Sequence, residues 1–156
     1  MTISPPTCHQ SYFFHVIIIC HPSTGSILFQ VSRHTDIVTD FISCDHLDMF
    51  MTCSMDKRIV LWSAVSRRVK GILLGHKRGV RSLSVYEQIL LSSGFECEAR
   101  LWELVNKDCI AILKGHRHPI VCAKLMCDKA QGEKEHRAIT VDESGALACL
   151  FKFHVL

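Results

Sequence analysis

Histidines, hydroxyl residues and carboxylates stand in this 156-residue chain in combinations that could do acid–base or nucleophilic chemistry. His34 is followed by Thr52 and Asp56, His76 by Ser92 and Glu96, and His116 by Thr140. A nucleophilic triad uses these types because the imidazole takes the hydroxyl proton while the carboxylate fixes the ring's tautomer. A reaction centre is needed once per protein, however, and this set returns with each stretch of about forty residues. Recurrence is the mark of a device that stabilises every unit of a repeat, so no residue is assigned a catalytic role.

Metal chemistry is the other reading that residue types invite. His116, His118, Cys122 and Cys127 fall within twelve residues, and Cys8-His9 and Cys20-His21 form two further pairs. No CxxC is present, whereas structural zinc sites are built from cysteine pairs at tight spacing. Cys122 and Cys127 lie on or just after an apolar stretch, and both are expected to be inert core thiols. Neither a metal nor any other cofactor is expected. The nine cysteines are odd in number and lack the dense spacing of a secreted disulfide scaffold, which favours a reducing cytoplasm.

The register of the repeat rests on several landmarks. Leu74-Gly75-His76-Lys77-Arg78-Gly79-Val80 has an echo in Lys114-Gly115-His116-Arg117-His118-Pro119-Ile120, and Trp62 and Trp102, each preceded by leucine, lie fourteen residues before His76 and His116. Six residues before the tryptophans stand Asp56 and Glu96, and ten before stand Thr52 and Ser92. Fourteen residues before His34 is Cys20, so the first copy is degenerate but in register. Placing Leu150 at the tryptophan position of the last copy puts Thr140 at the hydroxyl and Ser144 at the acid. That copy is expected to lack both the tryptophan and the acid, although Asp142 is close by, and to be the weakest unit.

Between landmarks run twelve short segments of β-branched and aliphatic residues, from Ile27–Val31 to Ala146–Phe151, and an odd one precedes them at Phe13–Cys20. Turn residues such as Ser23-Thr24-Gly25, Ser93-Gly94, Asn106-Lys107-Asp108 and Ser144-Gly145 separate them, and no helical periodicity competes. About forty residues cannot bury a core alone, so the units must stack. The longest apolar run, Tyr12–Cys20, spans nine residues, about half of what a membrane helix requires.

Gly-His and Leu-Trp landmarks in a four-stranded unit of this length resemble the WD40 β-propeller family, over roughly residues 13–152. Here Ser63 and Glu103, not Asp, follow the tryptophans, and no Gly precedes His34. The resemblance implies an all-β fold of about three four-stranded antiparallel blades plus one extra N-terminal strand. It divides the chain into a tail, 1–12, a strand and turn of a preceding blade, 13–26, and blades at 27–65, 66–105 and 106–156. The last blade would carry an inserted loop, 127–137. It further implies a chain of hydrogen bonds from indole to hydroxyl to imidazole to carboxylate, here Trp62–Thr52–His34–Asp56 and Trp102–Ser92–His76–Glu96. A looser likeness is to the EF-hand-containing WD-repeat proteins of cilia, through His34-Thr-Asp-Ile-Val-Thr-Asp-Phe41 and Ala138–Phe151. No EF-hand loop is present, so no calcium site is carried over.

The family implies a non-enzymatic scaffold for protein partners. Met55, Lys57, Lys77, Arg78, Phe95 and Arg117 are expected on turns of one propeller face and form the candidate partner-binding patch. Seven Lys, Arg or His and no acid between Arg67 and Arg81 raise phosphate, nucleic-acid or phosphoinositide binding as the alternative, against a net charge of only +3. Closed propellers usually need four to eight blades. Three blades leave open edges that could pair with another copy, and the chain reads as a piece of a larger ring. Localisation is expected to be cytoplasmic, with a cilium or the cytoskeleton implied by likeness alone.

Overall fold

The computed structural model describes residues 16–21, 23–130 and 133–153; the expected tail and the start of the first strand lie outside them. Thirteen strands, β1 to β13 in chain order, fill the described chain, and its one helical element is a 3-10 turn, Asp45–Leu47. β1 (Val16–Cys20) pairs with β2 (Ile27–Ser32) alone. β3 (Val38–Cys44), β4 (Met49–Ser54), β5 (Ile59–Ser63) and β6 (Val69–Leu73) form a four-stranded antiparallel sheet in sequence order. A second such sheet is β7 (Val80–Tyr86), β8 (Ile89–Gly94), β9 (Ala99–Glu103) and β10 (Asp108–Leu113). β11 (Ile120–Ala130), β12 (Glu133–Asp142) and β13 (Leu147–Phe153) form the last sheet.

The sheets are therefore offset by one strand from the sequence units. The segment expected to open the unit 27–65 is β2, which hydrogen-bonds back to β1 and not forward to β3. The offset ties the units covalently, because each period supplies the outer strand of one sheet and the inner three of the next. A second difference concerns the expected loop at 127–137. β11 and β12 run on through it as a long hairpin, paired out to Ala130 and Glu133.

Alternation along the strands makes both faces of the central sheets apolar, and the sheets stack through them. Met51, Cys53, Ile59 and Leu61 of one four-stranded sheet meet Val80, Leu83, Leu90 and Trp102 of the next in one cluster. The other face of the second sheet packs Leu91 and Leu101 on Ile120, Ala123 and Ala138. On the far side of the first, Phe50, Val60 and Trp62 receive Ile17, Ile19, Phe29 and Val31 from β1 and β2. Each fully buried side chain of this size contributes about 1.5–3 kcal/mol, so the stack, not any single sheet, carries the stability.

Polar contacts lock the innermost strands together. Asp40 in β3 accepts from the Leu83 amide of β7 at 2.7 Å, and Thr39 donates to the Val80 carbonyl at 2.6 Å. One step on, Ser82 and Ser84 of β7 accept from the Ala123 and Leu125 amides of β11 at 3.4 and 2.9 Å. At the incomplete end no inner strand precedes β3 among the described residues, and Asp40 caps the Phe41 amide of its own strand at 2.8 Å.

Candidate functional site

Antiparallel connection sorts the loops onto two ends. The links β4–β5, β6–β7, β8–β9, β10–β11 and β12–β13 lie at one end, and the hydroxyl, imidazole and carboxylate residues converge beneath it. In the first complete sheet, Trp62 Nε1 donates to Thr52 Oγ1 at 2.9 Å, and the Thr52 hydroxyl donates to His34 Nε2 at 2.8 Å. His34 Nδ1 in turn donates to Asp56 Oδ2 at 2.9 Å. The second sheet repeats this: Trp102 to Ser92 at 2.7 Å, Ser92 to His76 at 2.7 Å, and His76 to Glu96. His34 and His76 are buried, and so are Thr52, Ser92, Trp62 and Trp102.

The local backbone explains the motif. Gly75 and Gly115, each preceding a histidine, sit at φ 150° and 145°, where L side chains rarely go, and a Cβ on Gly75 would stand 3.3 Å from Trp102 Cη2. Arg33, which precedes His34, is not among the positive-φ residues, so that copy dispenses with Gly. Turn geometry repeats as faithfully: Lys57, Cys97 and Gly145 share a positive φ after the acid position, as do Arg67 and Lys107 at the other end.

The third copy corrects two expectations. His116 does have a carboxylate partner: Nδ1 donates to Asp142 Oδ2 at 2.8 Å, while Nε2 accepts from Thr140 at 2.7 Å. Ser54 and Asp56 have exchanged places as Asp142 and Ser144. The Asp56 amide donates to the Ser54 hydroxyl at 3.0 Å, and the Ser144 amide donates to Asp142 Oδ1 at 2.9 Å. The tryptophan position also shifts. Phe50 faces Trp62 and Leu90 faces Trp102 across the ladder, whereas Ala138 faces Phe151, not Leu150, past a register shift in β12.

Electrostatics fix the protonation states. Burial pushes the His76 pKa down, outweighing the neighbouring Glu96, so the ring is neutral near pH 7. Burial alone would raise Glu96, but the Lys77 amide, His76 and Arg100 hold it below its ordinary value. Asp56 is lowered in the same way, against its own burial, by the Thr35 amide and His34. Ser144 and His116 bring Asp142 down to about 2. A neutral imidazole between a hydroxyl donor and a carboxylate acceptor has both of its ring nitrogens satisfied. Arg100, overlooked in the sequence reading, is buried beside the second relay and pairs with Glu96 and Glu98 at 3.3 and 3.4 Å.

Of the candidate partner residues, Lys77, Arg78 and Phe95 line one hollow of about 350 Å³, together with Glu96, Cys97 and Glu98. Met55 adjoins it through Gly79, where a Cβ would come within 2.7 Å of its sulfur. Lys57 and Arg117 are exposed at the same end but do not line the hollow. Arg81 lies 5.4 Å over the Phe95 ring and pairs with Glu143 at 2.7 Å. Cys122, expected in the core, is exposed on β11, because the bulge after Ile120 leaves Ile120 and Ala123 as its inward residues. The side chain of Cys127 lies outside the described residues.

Stacked antiparallel sheets, each inner strand following the previous outer one and each full sheet pinned by the same relay, define part of a β-propeller. The WD40 family profile, WD domain, G-beta repeat, matches residues 25–63 and 67–103, and the chain belongs to that family. Cilia- and flagella-associated protein 337 B of Tetrahymena thermophila is 28% identical over 140 residues, which are 88% of this chain and 11% of that protein. Mitochondrial division protein 1 of Aspergillus oryzae is 29% identical over 54% of this chain and 13% of its own length. Small ribosomal subunit protein RACK1 of Medicago sativa is 38% identical over 46% of this chain and 24% of its own. The crystal structure of RRP9 WD40 repeats superposes with a TM-score of 0.70 at 15% identity, over 88% of this chain and 45% of that one. The chain thus spans about a tenth to a quarter of these curated relatives and under half of the structural one.

Three outcomes are expected of the relays. His76→Ala and Trp102→Ala each destabilise the fold by about 2 kcal/mol or more, measured by denaturant unfolding. With the folded-state pKa of His76 below its ordinary 6.5, the unfolded chain binds more protons below that pH, so stability falls on acidification from about 6.5. Glu96, lowered from 4.5, adds a loss of the same sign below about 4.5. His76→Gln flattens the first decline in unfolding midpoints measured between pH 7.5 and 5.5. Finally, the double exchange Asp142→Ser with Ser144→Asp keeps the melting temperature near that of the parent, while Asp142→Ala lowers it.

Proposed function

We propose that this chain is a non-enzymatic scaffold segment, a set of WD40 blades belonging to a larger propeller, which binds protein partners through the loop end carrying Lys77, Arg78 and Phe95. WD40 repeats in general mediate protein interactions, and WD40 propellers are generally non-enzymatic. The observation that carries the reading is the replication of the relay: hydroxyl, imidazole and carboxylate groups are paired in buried or part-buried hydrogen bonds once in each of the three larger sheets. What remains at that end is a rigid array of turns around an amphipathic hollow with one aromatic, two cations and two acids. The sequence units 27–65, 66–105 and 106–156, after the strand and turn 13–26 and the tail 1–12, are the repeats of that scaffold.

The incomplete sheets and the small share of each relative that is covered support a parent with further blades. The match to a cilia- and flagella-associated protein along most of this chain supports a ciliary or flagellar setting for that parent, in the cytoplasm. Among the described residues no helix is long and apolar enough to cross a membrane. Glu96 and Glu98 beside Lys77 and Arg78, and Glu143 on Arg81, break the positive track that a polyanion would follow, which favours a protein surface of mixed charge.

Affinity capture with the chain and with a Lys77→Glu, Arg78→Glu, Phe95→Ala variant of matched circular dichroism tests this reading. A discrete set of proteins lost from the variant is expected. Identical sets from both, or recovery dominated by salt-labile nucleic acid, would overturn it.

A further inference from the structure

The opposite end of the sheets, formed by the links β3–β4, β5–β6, β7–β8 and β9–β10, carries a feature that the loop-end reading does not use. A hollow of about 320 Å³ lies between the two four-stranded sheets, lined by Leu47, Met49, Lys70, Leu104, Val105 and Lys107. Met49 and Leu104 are buried and make its floor, while Val105 is 60% exposed at its rim. The volume is at the bottom of the range for small-molecule sites, roughly 300–1,000 Å³, and admits one bulky side chain better than a cofactor.

Its two cations are placed, not merely present. Lys70 Nζ donates to the Leu47 carbonyl at 3.2 Å, which holds the ammonium at the edge of the hollow. Lys107, on the β9–β10 turn at φ 66°, lays its stem across to the neighbouring sheet over Gly71, where a Cβ would come within 2.8 Å of Cδ and 2.9 Å of Cε. Gly71 is thus the clearance that lets one sheet's lysine bridge to the next. Arg81, Arg100 and Lys114 all pair with carboxylates, whereas neither Lys70 nor Lys107 has an ion-pair partner among the described residues. One held ammonium, Lys70, and one whose stem is laid across the neighbouring sheet, Lys107, flank an apolar floor, with no carboxylate within ion-pair distance of either among the described residues.

We propose that this groove docks a short acidic peptide segment of a partner protein, which inserts one apolar side chain between Met49 and Leu104 and sets carboxylates against Lys70 and Lys107. Charge complementarity selects the occupant: a basic or neutral peptide would leave both cations uncompensated, and an anion without an apolar group would leave the floor wet. The site uses none of the residues of the loop end, so it stands or falls separately from the partner binding proposed there.

The test is methyl NMR of the full 156-residue chain, labelled at Leu and Val, titrated with the blocked peptide Glu-Asp-Phe-Asp-Glu. The Leu104 and Val105 resonances are expected to move saturably. Apparent affinity is expected to fall at least about tenfold for the peptide with Ala in place of Phe, and for the Lys70→Glu, Lys107→Glu protein. Raising salt from roughly 50 to 500 mM should weaken binding to the parent in the same direction. A Lys70→Gln, Lys107→Gln variant with parental near-ultraviolet dichroism guards against a folding defect. Absence of movement at millimolar peptide, equal movement with a peptide whose acids are replaced by lysine, or saturable movement with decanoate but not the peptide would each overturn the proposal.

Discussion

A buried neutral imidazole joins two pieces of chain that are far apart in sequence. His76 reaches Ser92 through one nitrogen and Glu96 through the other, and Ser92 also takes the indole hydrogen of Trp102. An orphaned nitrogen there would cost about 1–3 kcal/mol, so the ring accepts only the register that serves both. That condition fixes the β6–β7 link over the β8–β9 turn and sets which face of β9 turns its tryptophan inward. His34 imposes the same on the preceding sheet, and His116 on the following one.

Once each sheet is pinned, the stack follows from alternation. Faces built of Met51, Leu61, Leu83 and Leu91 are too apolar for water and are covered by the neighbouring sheets. Side-chain oxygens of Thr39, Asp40, Ser82 and Ser84 bond to the next inner strand, so adjacent blades keep a constant offset. The two ends of the stack then differ in character. One is occupied by turns anchored on the relays, and the other exposes Val105, Lys70 and the bridging Lys107 beside the gap between sheets.

The hydroxyl, imidazole and carboxylate groups of the relays answer one another's burial. A hydroxyl, an imidazole and a carboxylate satisfy one another's hydrogen bonds inside a sheet edge as well as they would in an active site. The carboxylates stay ionised because amides and imidazoles compensate their burial, and His76 stays neutral because its own burial prevails. The exchange of Ser54 and Asp56 for Asp142 and Ser144 shows that the carboxylate matters more than its exact rung.

Strand positions were legible along the chain because β-branched segments alternate with turn residues, and the members of the two complete relays were legible as landmarks of a forty-residue spacing, while the bonds between them were implied by the resemblance to the WD40 family. Spacing failed where a bulge intervened. Counting residues predicts Ser144 and Leu150 at the acid and tryptophan places, while the ladder of β12 and β13 puts Asp142 and Phe151 there. It failed likewise at Cys122, turned outward past a bulge in β11, and at 127–137, where charged residues read as a loop form a ribbon. Residue types thus determined what repeats and which groups need partners. Only the tertiary structure decided which sheet each strand joins, that Gly71 clears a path for Lys107, and that Lys77, Arg78 and Phe95 share a hollow, since these depend on packing between sheets, to which spacing along the chain is blind.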